Sequence, residues 1–170
     1  TDQLFSDALS SATRSVAFLY SVKTGGNIQL DQLAITAATP LVTWASSFGL
    51  NDASAAPLVD YDSDGWVNLL EYALGGSPVA AESASFQPVL QYSAGALQMT
   101  IVVRSGDPSL SMVVQTTSTL QNSGSWTTTG VSELTPIDQT GIAVGFVRRV
   151  FQVASPSPTG QFMHVVFGAN

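Results

Sequence analysis

The chain has 170 residues, a formal charge of −7, five basic residues and no cysteine. The missing cysteine excludes a disulfide scaffold and thiol chemistry. The few cations, adjacent only at Arg148 and Arg149, give no basic surface for nucleic acid. Charged residues make up 10% of the chain, against about 25% in typical domains, yet no apolar run approaches the roughly 20 residues that span a bilayer. The surface must therefore be built largely from Ser, Thr, Gln, Asn and Ala. That suits a secreted β protein, or one that covers much of itself against neighbours.

Three segments follow one another: 1–38, 39–79 and 80–170. Thr1 to Ser11 is polar and mixed. Arg14 to Val22 reads as a strand with Val16, Phe18, Tyr20 and Val22 on one face. A Lys23-Thr24-Gly25-Gly26 turn leads into a second strand, Asn27 to Thr36. Its apolar parity shifts between Leu30 and Leu33, which predicts a bulge near Asp31-Gln32. This hairpin resembles the closing strands of jelly-roll domains in secreted carbohydrate-active proteins. Two strands cannot make a sandwich alone. The pair is expected to join the later sheet, another molecule or an upstream domain.

Thr39 and Pro40 predict a helix start, as N-cap and first helical residue. Leu41, Trp44, Ala45 and Phe48 share one face, expected to pack on Leu70 and Leu74 of a following helix. Pro57 interrupts the chain before the most informative stretch, Asp60 to Glu71, which reads D-Y-D-S-D-G-W-V-N-L-L-E.

Counted as a twelve-residue loop, that stretch places Asp60, Asp62 and Asp64 at positions 1, 3 and 5, Gly65 at 6, Trp66 at 7, Asn68 at 9 and Glu71 at 12. This is the EF-hand calcium pattern in every side-chain slot. Ca²⁺ takes six to eight oxygens at about 2.3–2.6 Å, and alternate residues of a tight loop aim carboxylates at one point. Gly65 permits the sharp bend. Trp66 contributes only its carbonyl, Val67 points towards a core, and Glu71 can close the sphere from the next helix. Asp and Gly are ordinary turn residues; Asn68 and Glu71 in register separate this stretch from a solvated acidic turn. Ca²⁺ is the expected cofactor, held by Asp60, Asp62, Asp64, Trp66, Asn68 and Glu71. Asn68 to Leu74 reads as the exit helix, stopped by Gly75-Gly76 with Pro78 beyond.

The loop-then-helix form resembles the calcium loops of dockerins and thrombospondin type 3 repeats, families that use the ion to hold structure. From Phe86 onward the pattern is all β. Predicted strands are Phe86–Tyr92, Ala96–Arg104, Leu110–Thr117, Ser125–Thr129, Val131–Leu134, Ile142–Val153 and Gln161–Phe167, punctuated at sandwich spacing. The expected fold is mainly β: an antiparallel β-sandwich with a helix–calcium loop–helix insert and an N-terminal hairpin.

Trp44–Leu50 (W-A-x-x-F-G-L), Asp60–Pro78, Asp107–Leu120 and Ser125-Trp126 together resemble the C-terminal module of large secreted proteins of Verrucomicrobia and Planctomycetes. The resemblance covers about Thr39 to Asn170. The usual loop there, D-x-D-x-D-G-x-x-N-x-x-E-Y-A-L-G, is matched from Asp60 to Gly75. It implies calcium, secretion and a β-sandwich, and no particular reaction.

Catalytic patterns are sparse. His164, the only histidine, sits in an apolar strand and reads as a core or interface residue. There is no G-x-S-x-G elbow and no phosphate-cradling loop. A glycosidase pair such as Asp107 with Glu133 has no support in its context, and Asp107-Pro108-Ser109 reads as a turn. No enzyme is expected. The leading function is a calcium-stabilised structural or assembly module, self-associating or joined to neighbouring domains. The alternative is a carbohydrate-binding module meeting a polysaccharide through Trp126 and Tyr61, with Trp66 and Tyr92 as further rings. Lone calcium loops of extracellular modules bind at about 10⁻⁴–10⁻³ M, so an extracellular or cell-surface location is expected. No signal-peptide pattern is present, so the chain reads as a mature form or a fragment.

Overall fold

In a computed structural model of the chain, residues 38–81, 86–120, 125–154 and 160–169 are described. The predicted N-terminal hairpin lies outside them. The described chain is mainly β, with antiparallel sheets and two short helices.

Helix α1, Pro40–Ser47, starts as Thr39 and Pro40 predict: the Thr39 hydroxyl accepts from the Val42 N–H at 3.3 Å. A single 3-10 turn, Asp52–Ala55, then leads into Pro57, so no continuous helix reaches Asp60. Helix α2, Asn68–Leu74, ends at Gly75, whose φ of 89° is the left-handed stop that glycine tolerates best. A Cβ at Gly75 would also meet the Phe146 ring at 3.0 Å. Gly75→Ala should therefore cost about 1–2 kcal/mol, read as a lowered urea midpoint with an unchanged slope.

The strands are β1 Val89–Ser93, β2 Ala96–Arg104, β3 Leu110–Thr117, β4 Val131–Leu134, β5 Phe146–Ala154 and β6 Phe162–Ala169. One sheet runs β1-β2-β5-β4 and the other pairs β3 with β6, all antiparallel. The predicted strands β2, β3 and β4 have the observed bounds. The other four differ. Phe86–Tyr92 shortens to begin at Val89, because Pro88 has no N–H for the ladder. Ile142–Val153 begins at Phe146, after Gly141 and Gly145 take positive φ and turn the chain. Ser125–Thr129 reduces to one bridge, Thr116 to Thr127, since its polar residues offer no apolar row to bury. The last strand ends at Ala169, two residues beyond Phe167.

Sandwich packing follows the period of two. Met99, Ile101 and Val103 of β2 are buried, as are Phe151 and Val153 of β5, Val114 of β3 and Met163 of β6. The final strand is therefore buried on one face, with Val166 exposed on the other. Ala73 and Leu74 of α2 join this same cluster. The opposite side of α2, through Leu69 and Tyr72, packs on Leu41 in a second cluster with Trp44 and Val67. Helix α2 is thus a wedge between the two cores. This changes the partner of α1: Trp44 meets Tyr72 edge-on, ring centroids 5.4 Å apart, rather than Leu70 and Leu74. Leu74 is turned to the sandwich instead, and Phe48 stays 40% exposed.

Arg104 locks the helix to the sheet. Its Nε donates to the Tyr72 carbonyl at 2.8 Å, and its guanidinium lies 4.1 Å from the Tyr72 ring centroid and 5.0 Å from that of Phe146. The Tyr72 hydroxyl donates to Asp107 at 2.6 Å. Burial, then this bond, pushes the Tyr72 hydroxyl up to about 12. Burial works against the Asp107 charge, but hydrogen bonds from Tyr72 and Ser109 outweigh it and hold that carboxyl below its ordinary value.

Between β5 and β4, Arg149 forks onto Glu133 with bonds of 2.7 and 2.6 Å. The Arg149 hydrogen bonds, opposed by partial burial, hold the Glu133 carboxyl below its ordinary 4.5. A depressed folded-state value contributes stability that is present above the unfolded value and lost as pH falls through the folded one. Both side chains are about a third exposed, so the effect is about 0.5–1 kcal/mol. Glu133→Gln should flatten the stability curve below pH 4.5 by that amount, measured by urea melts at stepped pH.

Candidate metal centre

The loop is closed by main chain before any side chain is considered. Helix α2 has no side-chain N-cap. Its first N–H groups instead reach back to the incoming segment: Asn68 N–H to the Val59 carbonyl at 2.8 Å, and Leu69 N–H to the Pro57 carbonyl at 2.9 Å. The residues between must turn tightly, and Ser63 and Gly65 do so with φ of 64° and 96°.

Inside this ring the aspartates are arranged by their own backbone. Asp60 Oδ2 accepts from the Gly65 N–H at 3.0 Å, Asp62 Oδ1 from the Asp64 N–H at 3.3 Å, and Asp64 Oδ1 from the Trp66 N–H at 2.8 Å. One oxygen of each is thereby fixed. The three carboxylates come together with oxygens within 4.8 Å of one another. Asp60 Oδ1 and Asp62 Oδ2 are buried without a hydrogen-bond partner. Three like charges at that spacing repel by about 3 kcal/mol per pair at an effective dielectric near 20. A cation is the species that would relieve both the repulsion and the unmet oxygens.

Asn68 is fully buried. Its Nδ2 donates to the Ser54 and Ala56 carbonyls, each at 2.8 Å, and its Oδ1 is buried without a hydrogen-bond partner. The amide is oriented by the Ser54 and Ala56 carbonyls, which commit the nitrogen and leave the oxygen buried. Glu71 is 1% exposed on α2 and is not one of the three residues gathered within 4.8 Å. Trp66 packs its ring on the sandwich cluster and Val67 on the helical cluster. The Ser54 and Ala56 carbonyls were not legible in the sequence, because small residues in a spacer carry no ligand signal.

The chemistry of the donors is all oxygen, the hard set that suits Ca²⁺, Mg²⁺ or Mn²⁺. Among the described residues, this is the one gathering of three or more His, Cys, Asp or Glu side chains able to hold a metal.

The other residues singled out from the sequence lie apart in role. Trp126 stacks on His164, centroids 3.7 Å apart and planes 6° from parallel. The His164 Nε2 sits 2.8 Å from Gln115 Oε1. The two rings cover one another rather than lying side by side as a platform. Tyr61 and Tyr92 are exposed. Asp107 and Glu133 do not form a pair: one is held by Tyr72 and Ser109, the other by Arg149.

No family model, curated protein or solved structure matches this chain. No helix among the described residues is long and apolar enough to cross a membrane.

Proposed function

We propose that the chain is a calcium-stabilised structural module of a secreted or cell-surface protein, in which the ion staples α2 and the segment before it into one unit. The observation that carries this reading is the convergence of three carboxylates, with buried, unpartnered oxygens on Asp60 and Asp62. The residues to hold the ion are Asp60, Asp62, Asp64, the Trp66 carbonyl, Asn68 and Glu71. When bound, it supplies charge neutralisation and cross-linking of the loop. Ca²⁺ is preferred over Mg²⁺ because a flexible twelve-residue loop suits its higher and looser coordination. A structural role is preferred because the loop is tied to both packed cores, through Trp66 to the sandwich and Val67 to the helices. The low charge and the exposed apolar residues of the sandwich support self-association or docking to neighbouring domains.

Sedimentation velocity of the full chain with calcium and again after EGTA tests both parts. Large species that dissolve on chelation support calcium-stabilised assembly. A monomer in both conditions that loses thermal stability on chelation restricts the ion to a local staple and removes assembly. A chain indifferent to EGTA, and free of calcium by metal analysis, overturns the reading.

A further inference from the structure

Strand β1 is an edge strand without an edge strand's usual protection. It pairs with β2 on one side, and no strand among the described residues pairs with the other. Natural edges are guarded by a charge, an internal proline or a bulge. β1 reads Val89-Leu90-Gln91-Tyr92-Ser93, its register with β2 runs unbroken, and no charged residue occurs from Phe86 to Val103. Its apolar side chains are open: Val89 is 59%, Leu90 50% and Tyr92 69% exposed. Leu90 lies directly beside Met99, and Tyr92 beside Leu97, on the face of the sheet that carries the core. The turn into β2 decides which main-chain groups look outward. It has two residues, Ala94 and Gly95, with φ of 51° and 77°. Such a turn closes on a hydrogen-bonded pair, here Ser93 with Ala96, and the pairs alternate from there. Val89, Gln91 and Ser93 therefore direct their N–H and C=O groups to β2, while Leu90 and Tyr92 point theirs at the free edge.

We infer that this edge pairs with the same edge of a second copy, antiparallel, about a two-fold axis at Gln91. The inference rests on the self-association part of the proposed function and names its surface. The strand is complementary to itself in that register. Leu90 stands opposite the partner's Tyr92, and Tyr92 opposite the partner's Leu90, so every outward N–H and carbonyl of the two residues finds its match. The same pairing lays Leu90 against the partner's Tyr92 on the core-bearing face, covering the side chains left open in one copy. On the other face Gln91 meets the partner's Gln91. Its Nε2 already donates to Gln98 Oε1 at 3.4 Å, and Gln98 is paired with Gln152, so an amide row continues across the axis. Val89 meets the partner's Ser93. An uncharged edge gives a charged partner nothing to select, whereas its own copy matches it in register, donors and apolar side chains, with no local repulsion despite −7 on each chain. A two-fold seam closes at two copies. Five residues make a small seam of the weak, exchanging class, so dimer and monomer interconvert with concentration.

The chain has no cysteine, so a single introduced thiol reports cleanly. Residues facing each other without main-chain bonds between them have Cα atoms about 4.5 Å apart, within disulfide reach. In the full chain, Gln91→Cys should give a disulfide-linked dimer under mild oxidation. Val89→Cys, exposed on the same face, should give about tenfold less, because its two copies lie about 14 Å apart across the axis. Mixing Val89→Cys chains with Ser93→Cys chains should restore the cross-link. Tyr92→Lys, which puts a charge on the edge, should weaken the dimer of the cysteine-free chain about tenfold or more in a sedimentation concentration series. Equal cross-linking at positions 89 and 91 would mean random collision. Absence of the Gln91→Cys dimer would mean that another segment or partner holds the edge. Either result overturns the proposal, as does a dimer indifferent to Tyr92→Lys. Each arm is run with calcium and in EGTA. A Gln91→Cys dimer in either condition supports the seam even where the protein proves indifferent to the ion. Large calcium-dependent species without that cross-link overturn the seam and leave the calcium reading standing.

Discussion

Chelation by EGTA should lower the melting temperature of the calcium-loaded protein by about 5–10 °C. Extracellular loops of this type bind at about 10⁻⁴ M, and roughly hundredfold excess ligand stabilises the folded state by about 2.7 kcal/mol. At this chain length each kcal/mol is worth about 2–4 °C. The decisive control is Asp62→Asn, which keeps the size of the side chain and its bond to the Asp64 N–H while removing one charge from the three. It should abolish the calcium-dependent shift, yet melt at or above the parent in EGTA, since one like-charge repulsion is gone. That opposite pair of signs is peculiar to a metal cluster; a solvated acidic turn would gain from the substitution with or without calcium. A calcium shift that survives in Asp62→Asn would mean the ion binds elsewhere.

Asn68→Ala should destabilise the protein by about 2–5 kcal/mol whether or not calcium is present, because it strips the donors from two carbonyls, those of Ser54 and Ala56, in a buried site. Asn68→Asp is the informative companion. It retains an oxygen for the loop but loses the donating nitrogen and adds a fourth charge. In EGTA it should be at least as damaged as the alanine variant, and calcium should recover part of the loss, which the alanine variant cannot show. Denaturant unfolding with and without calcium measures all four cases. Equal loss for both variants in both conditions would confine Asn68 to bracing the 3-10 turn and remove it from the metal centre.

The parts of this molecule that were legible in the sequence are those where one residue's chemistry decides its place. Alternation wrote β2 to the residue, and spacing alone identified the three aspartates that converge. Thr39, Pro40 and Gly75 marked helix limits because each has a distinct backbone role. What was hidden depends on partners far away in sequence. The orientation of the Asn68 amide is set by carbonyls of Ser54 and Ala56, and any residue type supplies a carbonyl. Arg104 closes the predicted strand Ala96–Arg104, and its role is set by the Tyr72 carbonyl and two rings. The Trp126–His164 stack joins a loop to the last strand, a pairing that no local pattern encodes. Trp44 was assigned the wrong neighbours because the sequence could not say that α2 serves two cores at once.

That double service of α2 has a mechanical consequence. Tension applied between α1 and the first strand follows the chain through the turn at 60–67 and along α2. The main-chain bonds at the base of the turn, Asn68 N–H to the Val59 carbonyl and Leu69 N–H to the Pro57 carbonyl, take that load until they part. Trp66 and Val67, neighbours in sequence, are anchored in different cores, so extending the turn pulls on both packed surfaces together. An ion gripping the aspartates would hold the turn shut once those bonds have parted, and its occupancy would set how far the module stretches before the sandwich itself is strained.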